Sequence, residues 1–482
     1  MLFPTITFAV FFVVVFVVHT GVASYASVPA RSAAAATLWK LMIVGASYVF
    51  YGWWNWRYCA LLAGSTVVNW LLAHAVHRAR PQDQRLIIGL VVGCNLGLLS
   101  VFKYYDFLLE TLDRGWNGFG ALPALDVLVP IGISFFTFQA MSYVIDVHRK
   151  EITPRSLLDF ATYLSFFPQL VAGPIVRATE FLPQLDRHTM FRNVDLTRAT
   201  WLIGRGLFKK VVVATYLAES VVDPVFAAPG EYGRLEILQA MYGYSLQIYA
   251  DFSGYTDMAI GFALLLGFQF PVNFDRPYRA RSIQEFWRRW HMTLSRWLRD
   301  YLYISLGGNR KGKLLIYRNL LLTMVLGGLW HGAAWTFVAW GIAHGVLLAA
   351  GRWIQDRNAG SERERPYPSW ASHSRDTFQW LVTFNLVTLT WVLFRADSFT
   401  KVGEMLTGLA TASSSGSLNL TACALIGAGI VTQLSPERAG ERIYRAYARL
   451  DTALQSAAAG AWVLLVALLT PQGVAPFIYF QF

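Results

Sequence analysis

Residues 2–18 read LFPTITFAVFFVVVFVV and contain no charged side chain. A helix of about 20 apolar residues is long enough to cross the roughly 30 Å hydrocarbon layer of a bilayer. Similar apolar runs recur along the whole chain, among them residues 127–143, and they suggest about eleven membrane helices. The sequence therefore predicts an all-α, polytopic membrane protein.

The composition of the 482 residues supports this fold class, since 55% are hydrophobic and 15% are charged. Soluble domains carry about 25% charged residues. No charged stretch approaches domain size, so residues 1–482 are predicted to form a single integral-membrane domain. The three cysteines lie singly in apolar segments, which indicates neither disulfides nor a metal site.

The net charge of +12 is explained by the excess of Lys and Arg in cytoplasmic loops, without a nucleic acid. Short basic loops at residues 77–85 and 148–155 are predicted to be cytoplasmic, which places the N-terminus outside. Residues 276–318 carry eleven Lys or Arg against Glu285 and Asp300, and we place them on the cytoplasmic side. We expect the location to be a bacterial inner membrane.

Two apolar segments, residues 167–176 (FPQLVAGPIV) and 325–335 (VLGGLWHGAAW), are interrupted by Gly or Pro. Broken helices occur in membranes only where protein or a water-filled cavity satisfies the freed backbone groups. These interruptions therefore predict re-entrant segments around a cavity or tunnel.

Residues 286–302 separate on a helical wheel and predict one basic amphipathic helix at the membrane interface. The apolar arc contains Phe286, Trp287, Trp290, Leu294, Trp297, Leu298, Tyr301 and Leu302, and the opposite side contains Arg288, Arg289, Arg296 and Arg299. His291 alone breaks the pattern, because it falls in the apolar arc. It is either satisfied by a neighbouring carbonyl or directed at a reaction site.

His331 has Gly327, Gly328 and Gly332 beside it. Small residues permit close approach by a neighbouring helix or by a thin substrate, so His331 is either structural or catalytic. His344 falls on a different helical face and is interpreted as structural.

Residues 249–261 (YADFSGYTDMAIG) place two carboxylates in an apolar neighbourhood. Asp251 and Asp257 either pair with arginines or line a polar cavity. Ser253 lacks the GxSxG context of a nucleophilic serine. The chain has no HExxH motif, and residues 307–314 (GGNRKGKL) depart from the P-loop pattern at Leu314, which argues against zinc-protease and nucleotide-binding sites.

Three motifs resemble the membrane-bound O-acyltransferase (MBOAT) superfamily: residues 249–261, residues 273–310, which contain WRRWH, and residues 327–345, which contain LWHG. The similarity is greatest to the AlgI branch of alginate O-acetyltransferases, with DltB of teichoic-acid D-alanylation as a relative. The tail PFIYFQF is also similar to that branch. The motifs concentrate between residues 240 and 350.

The resemblance implies a multi-helix fold around a central tunnel, with His331 as the catalytic histidine and His291 as a second catalytic residue at the tunnel. Other branches carry Asn or Asp at the comparable place. The expected substrate-binding residues are Trp287, Arg288, Arg289, Trp330, Asp251 and Ser253.

The resemblance also implies transfer of an acetyl or other short acyl group from a cytoplasmic thioester, either acetyl-CoA or an acyl-carrier protein, to an extracytoplasmic polysaccharide. The expected partners are the lipid bilayer, the donor, the polysaccharide and an extracytoplasmic acetyltransferase of the AlgJ or AlgX kind, with no nucleic acid. No tightly bound cofactor and no metal are expected. D-alanyl transfer, a transporter and a non-enzymatic export component are the alternatives.

Overall fold

The computed structural model describes residues 1, 3–26, 32–115, 128–186, 194–310, 312–358, 369–413 and 416–470. Within these ranges the regular structure is helical and contains no strand. Among the described residues, seven helices are long and apolar enough to cross a membrane, and two shorter apolar helical segments, Ile6–Val22 and Leu420–Leu434, accompany them. The prediction of an all-α, polytopic membrane protein is confirmed.

The α-helices follow one another along the chain. They are α1 Ile6–Ala26, α2 Ser32–Gly52, α3 Arg57–Arg78, α4 Pro81–Leu99, α5 Tyr105–Gly115, α6 Ile133–His148, α7 Leu157–Ser165, α8 Phe167–Leu170, α9 Ala178–Asp186, α10 Leu196–Leu207, α11 Thr215–Leu217, α12 Asp223–Ala227, α13 Arg234–Leu265, α14 Ile283–Arg289, α15 Met292–Trp297, α16 Lys313–His331, α17 Trp335–Asn358, α18 Ser369–Arg395, α19 Phe399–Thr411, α20 Leu420–Leu434, α21 Glu437–Ala448 and α22 Thr452–Leu469. Wider π-helical turns occupy Ser100–Tyr104, Phe208–Ala214, Ala218–Val222 and Leu298–Tyr303, and 3-10 turns occupy Pro229–Glu231 and Pro277–Arg279.

The chain divides into two compact units, of which the first comprises Met1–Arg205 and Tyr255–Pro271. Helix α6 lies at its centre with nearly every side chain buried, against α3 and α4. Buried amides of Asn69 and Asn95 bond each other across α3 and α4 at 2.8 and 3.3 Å. Because an unpaired amide inside a membrane protein is costly, this reciprocal pair fixes the register of the two helices.

The second unit comprises Gly206–Gly254 and Val272–Phe482. Its best-packed element is the hairpin of α16 and α17, against which α14 and α18 also pack. Every candidate site residue predicted from the sequence belongs to this unit. The prediction of one domain over residues 1–482 stays a prediction.

Both predicted helix breaks are present. Helix α8 ends at Leu170 and the buried chain is non-helical up to Arg177, while α16 ends at His331 and α17 begins at Trp335. The tail at residues 476–482 lies outside the described residues.

Candidate active site

The backbone turns sharply at His291, so the predicted single amphipathic helix over residues 286–302 is wrong. Helix α14 ends at Arg289, His291 adopts the left-handed conformation with φ 40° and ψ 55°, and α15 starts at Met292. The physical reason is Asn273, which is not among the residues 286–302 of the helical wheel. Its carbonyl accepts the Met292 N–H at 2.9 Å, and its side chain binds the residues around the turn. Hydrogen bonds from another segment therefore replace those that a continuous helix would make.

The hydrogen bonds of Asn273 also determine the tautomer of His291. The Asn273 Oδ1 accepts from the Thr293 backbone N–H at 3.1 Å and from the Thr293 hydroxyl at 2.8 Å, which identifies this atom as oxygen. The His291 Nδ1 lies 3.1 Å from the same oxygen and must donate to it. The His291 Nε2 therefore carries the lone pair, and it has no hydrogen-bond partner among the residues that the structure describes.

His291 is neutral as well as buried. Its exposure is 0%, and burial lowers its pKa to about 3, because desolvation disfavours the charged imidazolium. The Phe252 ring contacts the imidazole edge-to-face at 4.7 Å and 90°. A neutral imidazole with an available lone pair can accept a hydrogen bond at physiological pH.

His331 is the last residue of α16 and lies in an aromatic enclosure with 4% exposure. The rings of Trp330, Trp340 and Phe394 lie 5.0, 5.2 and 5.2 Å from its imidazole, between centroids. Trp330 also lies 6.2 Å from the His291 ring. The structure thus places His291 and His331 beside the same side chain, the indole of Trp330.

His344 is fully engaged by protein groups. The Trp287 indole N–H donates to His344 Nδ1 at 3.2 Å, which leaves Nε2 protonated, 3.0 Å from the Thr390 hydroxyl. That hydroxyl donates onward to the Val387 carbonyl at 2.8 Å. Both imidazole nitrogens are therefore used, which agrees with the structural interpretation of His344. The N–H of Trp287, a predicted substrate-binding group, is used in the same network.

The two adjacent arginines of the WRRWH motif differ. Arg289 bonds Asp275 at 2.8 Å and Glu285 at 3.0 Å, so its charge is neutralised within the protein. Arg288 is exposed, and no ion pair to it occurs within the described ranges. Only Arg288 of the two presents an uncompensated guanidinium to the surroundings.

Asp251 and Ser253 lie buried on α13 and bind consecutive lysines of the π-helical turn Phe208–Ala214. Asp251 forms an ion pair with Lys210, both almost inaccessible to solvent, and the Lys209 ammonium donates to the Ser253 hydroxyl at 3.1 Å. The expected partner of Asp251, an arginine, is thus replaced by a lysine. Phe252 lies between these two anchored residues, so the pairs fix the helix that supports the ring against His291.

Asp257 pairs with an arginine, as expected. Its carboxylate accepts from the Arg205 guanidinium in a bidentate arrangement at 2.6 and 2.9 Å. Planar bidentate pairs of this kind are well suited to anchor a helix. Both residues belong to the first unit.

The glycines around His331 serve the approach of a neighbouring helix. A Cβ on Gly328 would lie 2.3 Å from the Phe337 carbonyl oxygen, and one on Gly341 would lie 2.4 Å from the Met324 carbonyl oxygen. At Gly332 it would meet the Phe337 ring at 2.1 Å. The small residues therefore let α16 and α17 pack backbone to backbone.

Metal ligation requires several converging side chains. In the described portion of the chain, no group of three or more His, Cys, Asp or Glu residues is arranged to hold a metal ion.

The sequence of residues 102–372 matches the family model of MBOAT, the membrane-bound O-acyltransferase family. This match covers more than half of the chain and includes every candidate site residue. The chain belongs to the membrane-bound O-acyltransferase family. It is accordingly an O-acyltransferase and a multi-pass membrane protein.

Characterised relatives of this MBOAT chain extend the match beyond the central motifs. It is 39% identical over 402 residues to a peptidoglycan O-acetyltransferase of Helicobacter pylori, which covers 77% of this chain and 73% of the relative. It is 44% identical over 368 residues to a probable alginate O-acetylase AlgI of Pseudomonas aeruginosa, covering 74% and 67%. It is 30% identical over 288 residues to a teichoic acid D-alanyltransferase of Streptococcus thermophilus, which covers 55% of this chain and 68% of the relative. The predicted similarity to the AlgI branch, with DltB-like proteins as relatives, is confirmed.

Three residues of the MBOAT site were missed in the sequence. Asn273 has no periodic signal, and its proximity to His291 arises only through the turn. Lys210 could have been found, because two consecutive lysines in the apolar run of residues 207–214 need acidic partners. Trp340 lies within a quoted motif but is one tryptophan among eighteen.

Proposed function

We propose that this protein transfers an acetyl or other short acyl group from a cytoplasmic thioester to a hydroxyl on the far side of a bacterial inner membrane, for O-acetylation of an extracytoplasmic polysaccharide. The observation that carries the proposal is the placement of two buried imidazoles, His291 and His331, against one indole. The similarity to an alginate O-acetylase and a peptidoglycan O-acetyltransferase supports acetyl as the group and a cell-envelope polymer as the final acceptor.

His331 acts as the general base in this proposal. The acceptor hydroxyl attacks the thioester carbonyl carbon, its proton passes to the imidazole, and a new C–O bond forms. The C–S bond then breaks, and the departing sulfur takes the proton back from the imidazolium as a thiol. A positioned base contributes about 10²–10⁴ in rate. The thioester supplies its own leaving group.

His291 orients the donor. Polarising the thioester carbonyl would require a hydrogen-bond donor. The Asn273-bound tautomer presents a lone pair at Nε2 instead. We therefore assign His291 to accept a hydrogen bond from an amide N–H of the pantetheine arm, which acetyl-CoA and acyl-carrier proteins share.

The anionic part of the donor is bound on the basic cytoplasmic side in this proposal. Phosphates are present both on coenzyme A and on the carrier-bound arm, and guanidinium groups suit them. Arg288 is the group available in the WRRWH motif, because Arg289 is already paired. The acyl group then passes to a hydroxyl of an extracytoplasmic partner of the AlgJ or AlgX kind, or directly to the polysaccharide.

The experiment is acyl transfer by the purified protein in lipid nanodiscs, with radiolabelled acetyl-CoA and a soluble polysaccharide acceptor. His331→Ala should abolish transfer while the protein remains inserted and monodisperse. His74→Gln is the matched control, because His74 also lies in a membrane helix and its imidazole bonds the Trp70 carbonyl of the same helix at 2.9 Å. Transfer that persists in His331→Ala would refute the catalytic proposal. Flux of acetyl-CoA or polymer across proteoliposomes without transfer would favour a transporter.

A second candidate is D-alanyl transfer from a carrier protein, favoured by the similarity to a teichoic acid D-alanyltransferase. That similarity covers a smaller part of the chain than either O-acetyl relative does. The nanodisc protein is offered labelled acetyl-CoA and a labelled D-alanyl carrier protein in competition. Only the donor that the protein uses transfers its labelled acyl group, which distinguishes acetyl transfer from D-alanyl transfer.

A further inference from the structure

The attack on a thioester places negative charge on the carbonyl oxygen, and a hydrogen-bond donor aimed at that oxygen stabilises it. Neither imidazole nitrogen of His291 can donate to this oxygen, since Nδ1 donates to Asn273 and Nε2 carries a lone pair. The proposed mechanism therefore needs a donor from another residue close to His331.

Trp340 carries such a donor. Its side chain is 1% exposed, its ring lies 5.2 Å from the His331 imidazole at 90°, and its indole N–H has no hydrogen-bond acceptor among the described residues. Buried indole N–H groups usually find a partner. Trp391, which is equally buried, obeys this rule, since it donates to the Tyr278 hydroxyl at 3.2 Å.

Thr336 carries a second donor on the same face of α17, one turn before Trp340. Residues four apart on a helix lie one above the other, about 5–6 Å apart. The Thr336 hydroxyl is buried, with 3% exposure, and lacks a protein partner in the described ranges. Other buried threonines here bond the carbonyl four residues earlier, Thr66 and Thr323 both at 2.7 Å. Thr336 cannot do so within its helix, because α17 begins at Trp335.

We propose that the Trp340 indole N–H and the Thr336 hydroxyl form the oxyanion-binding pair, donating to the acyl carbonyl oxygen as the tetrahedral intermediate develops. This inference rests on the proposed acyl transfer and adds two catalytic residues to it. During the step the carbonyl π electrons move to the oxygen, where the two hydrogen bonds stabilise the negative charge, and the electrons return to form the C=O bond when the C–S bond breaks. The protons of Trp340 and Thr336 stay on their own atoms.

The test uses variants that delete only the donors. Trp340→Phe keeps an aromatic ring without the N–H, and Thr336→Val keeps the shape without the hydroxyl. In the nanodisc assay with acetyl-CoA, each should lower kcat by about 10²-fold, the size found when one oxyanion donor is removed, with KM for acetyl-CoA unchanged. Thr336→Ser restores the hydroxyl and should recover most of kcat.

The matched control is Trp391→Phe, which deletes an indole N–H that already has a protein acceptor and should keep the wild-type kcat. Thermal unfolding of each variant in the same nanodiscs distinguishes a catalytic loss from a folding loss. The inference is overturned if Trp340→Phe and Thr336→Val retain the wild-type kcat, or if Thr336→Ser is as impaired as Thr336→Val.

The outcome is separable from that of the proposed function. If the wild-type protein transfers acetyl and His331→Ala does not, while both donor variants remain active, only the oxyanion assignment fails. If the wild-type protein transfers no acyl group from any thioester, the proposed function itself fails.

Discussion

The Asn273 side-chain oxygen lies 3.1 Å from His291 Nδ1 and thereby decides which imidazole nitrogen keeps its lone pair. A carboxylate at the same place should change the chemistry without changing the shape. In Asn273→Asp, the negative charge next to the imidazole should raise the pKa of His291 from about 3, because an opposite charge favours the imidazolium. We therefore expect activity to fall at mildly acidic pH, where the wild type stays active.

The measurement for Asn273→Asp is kcat against pH. Thr293→Val is the matched control, since it removes a donor to the same oxygen without adding charge. Superimposable profiles for Asn273→Asp and the wild type would contradict the assignment of the tautomer.

The low pKa of His291 also makes stability depend on pH. The folded protein binds this proton less well than the unfolded chain, whose ordinary histidine pKa is 6.5. The stabilisation is thus complete above about pH 6.5 and is lost as pH falls toward about 3, by at most about 1.4 kcal/mol per pH unit. His291→Asn, which tolerates the left-handed backbone, should show a shallower decline of Tm with acidification than the wild type. Equal slopes for the two proteins would show that His291 does not carry the effect.

The Lys210–Asp251 pair predicts strong coupling between two substitutions. Asp251→Asn leaves a buried ammonium without its counterion and should cost about 3–5 kcal/mol, seen as a large drop in Tm or loss of folded protein. The double variant Lys210→Met with Asp251→Leu should recover much of that loss. As a comparison, Asp300→Asn interrupts the exposed Arg299–Asp300 pair and should change stability by about 0–1 kcal/mol. Additive losses at 210 and 251 would argue against the pair.

The hairpin of α16 and α17 should not accept a methyl group at its crossing. In Gly328→Ala the new Cβ meets a carbonyl oxygen at 2.3 Å, and overpacking of this kind costs about 1–3 kcal/mol or more. Gly93→Ala is the control, because a Cβ there has no atom within 4 Å. Fluorescence size-exclusion profiles and Tm values of the two variants should differ accordingly. Wild-type Tm in Gly328→Ala would mean that the crossing is looser than the structure shows.

The adjacent arginines should respond differently to the loss of charge. Arg288→Gln should raise KM for acetyl-CoA with little change in Tm, because the exposed guanidinium contacts the anionic donor in the proposed site. Arg289→Gln should lower Tm instead, since it removes the partner of Asp275 and Glu285. Steady-state kinetics and thermal unfolding of the same preparations test both. The reverse pattern would exchange the roles of the two residues.

Much of the architecture could be predicted because hydropathy reports directly on the bilayer. The spans, the breaks at residues 167–176 and 325–335, and the candidate pair His291 and His331 were all evident from apolar length, glycine placement and motif. Asp257 and its arginine followed from the cost of an unpaired charge in an apolar segment.

The remainder depended on contacts between distant residues. A helical wheel assumes continuous helix, and nothing in residues 286–302 reveals that Asn273 supplies the hydrogen bonds that allow the chain to turn at His291. The sequence also does not show that α17 packs against the glycines near His331. Likewise, nothing in the sequence shows that the Trp287 N–H donates to His344.

The left-handed backbone at position 291 has a consequence for the history of the family. Besides glycine, the residues that most often adopt this conformation are Asn, Asp and His, and the resemblance implies that Asn or Asp occupies the comparable place in other MBOAT branches. The turn thus restricts the alternatives at this position to short polar side chains before any selection for catalysis acts. Divergence between branches could exchange one hydrogen-bonding group for another at this position without a change of fold. The backbone conformation therefore limits which catalytic side chains can evolve there.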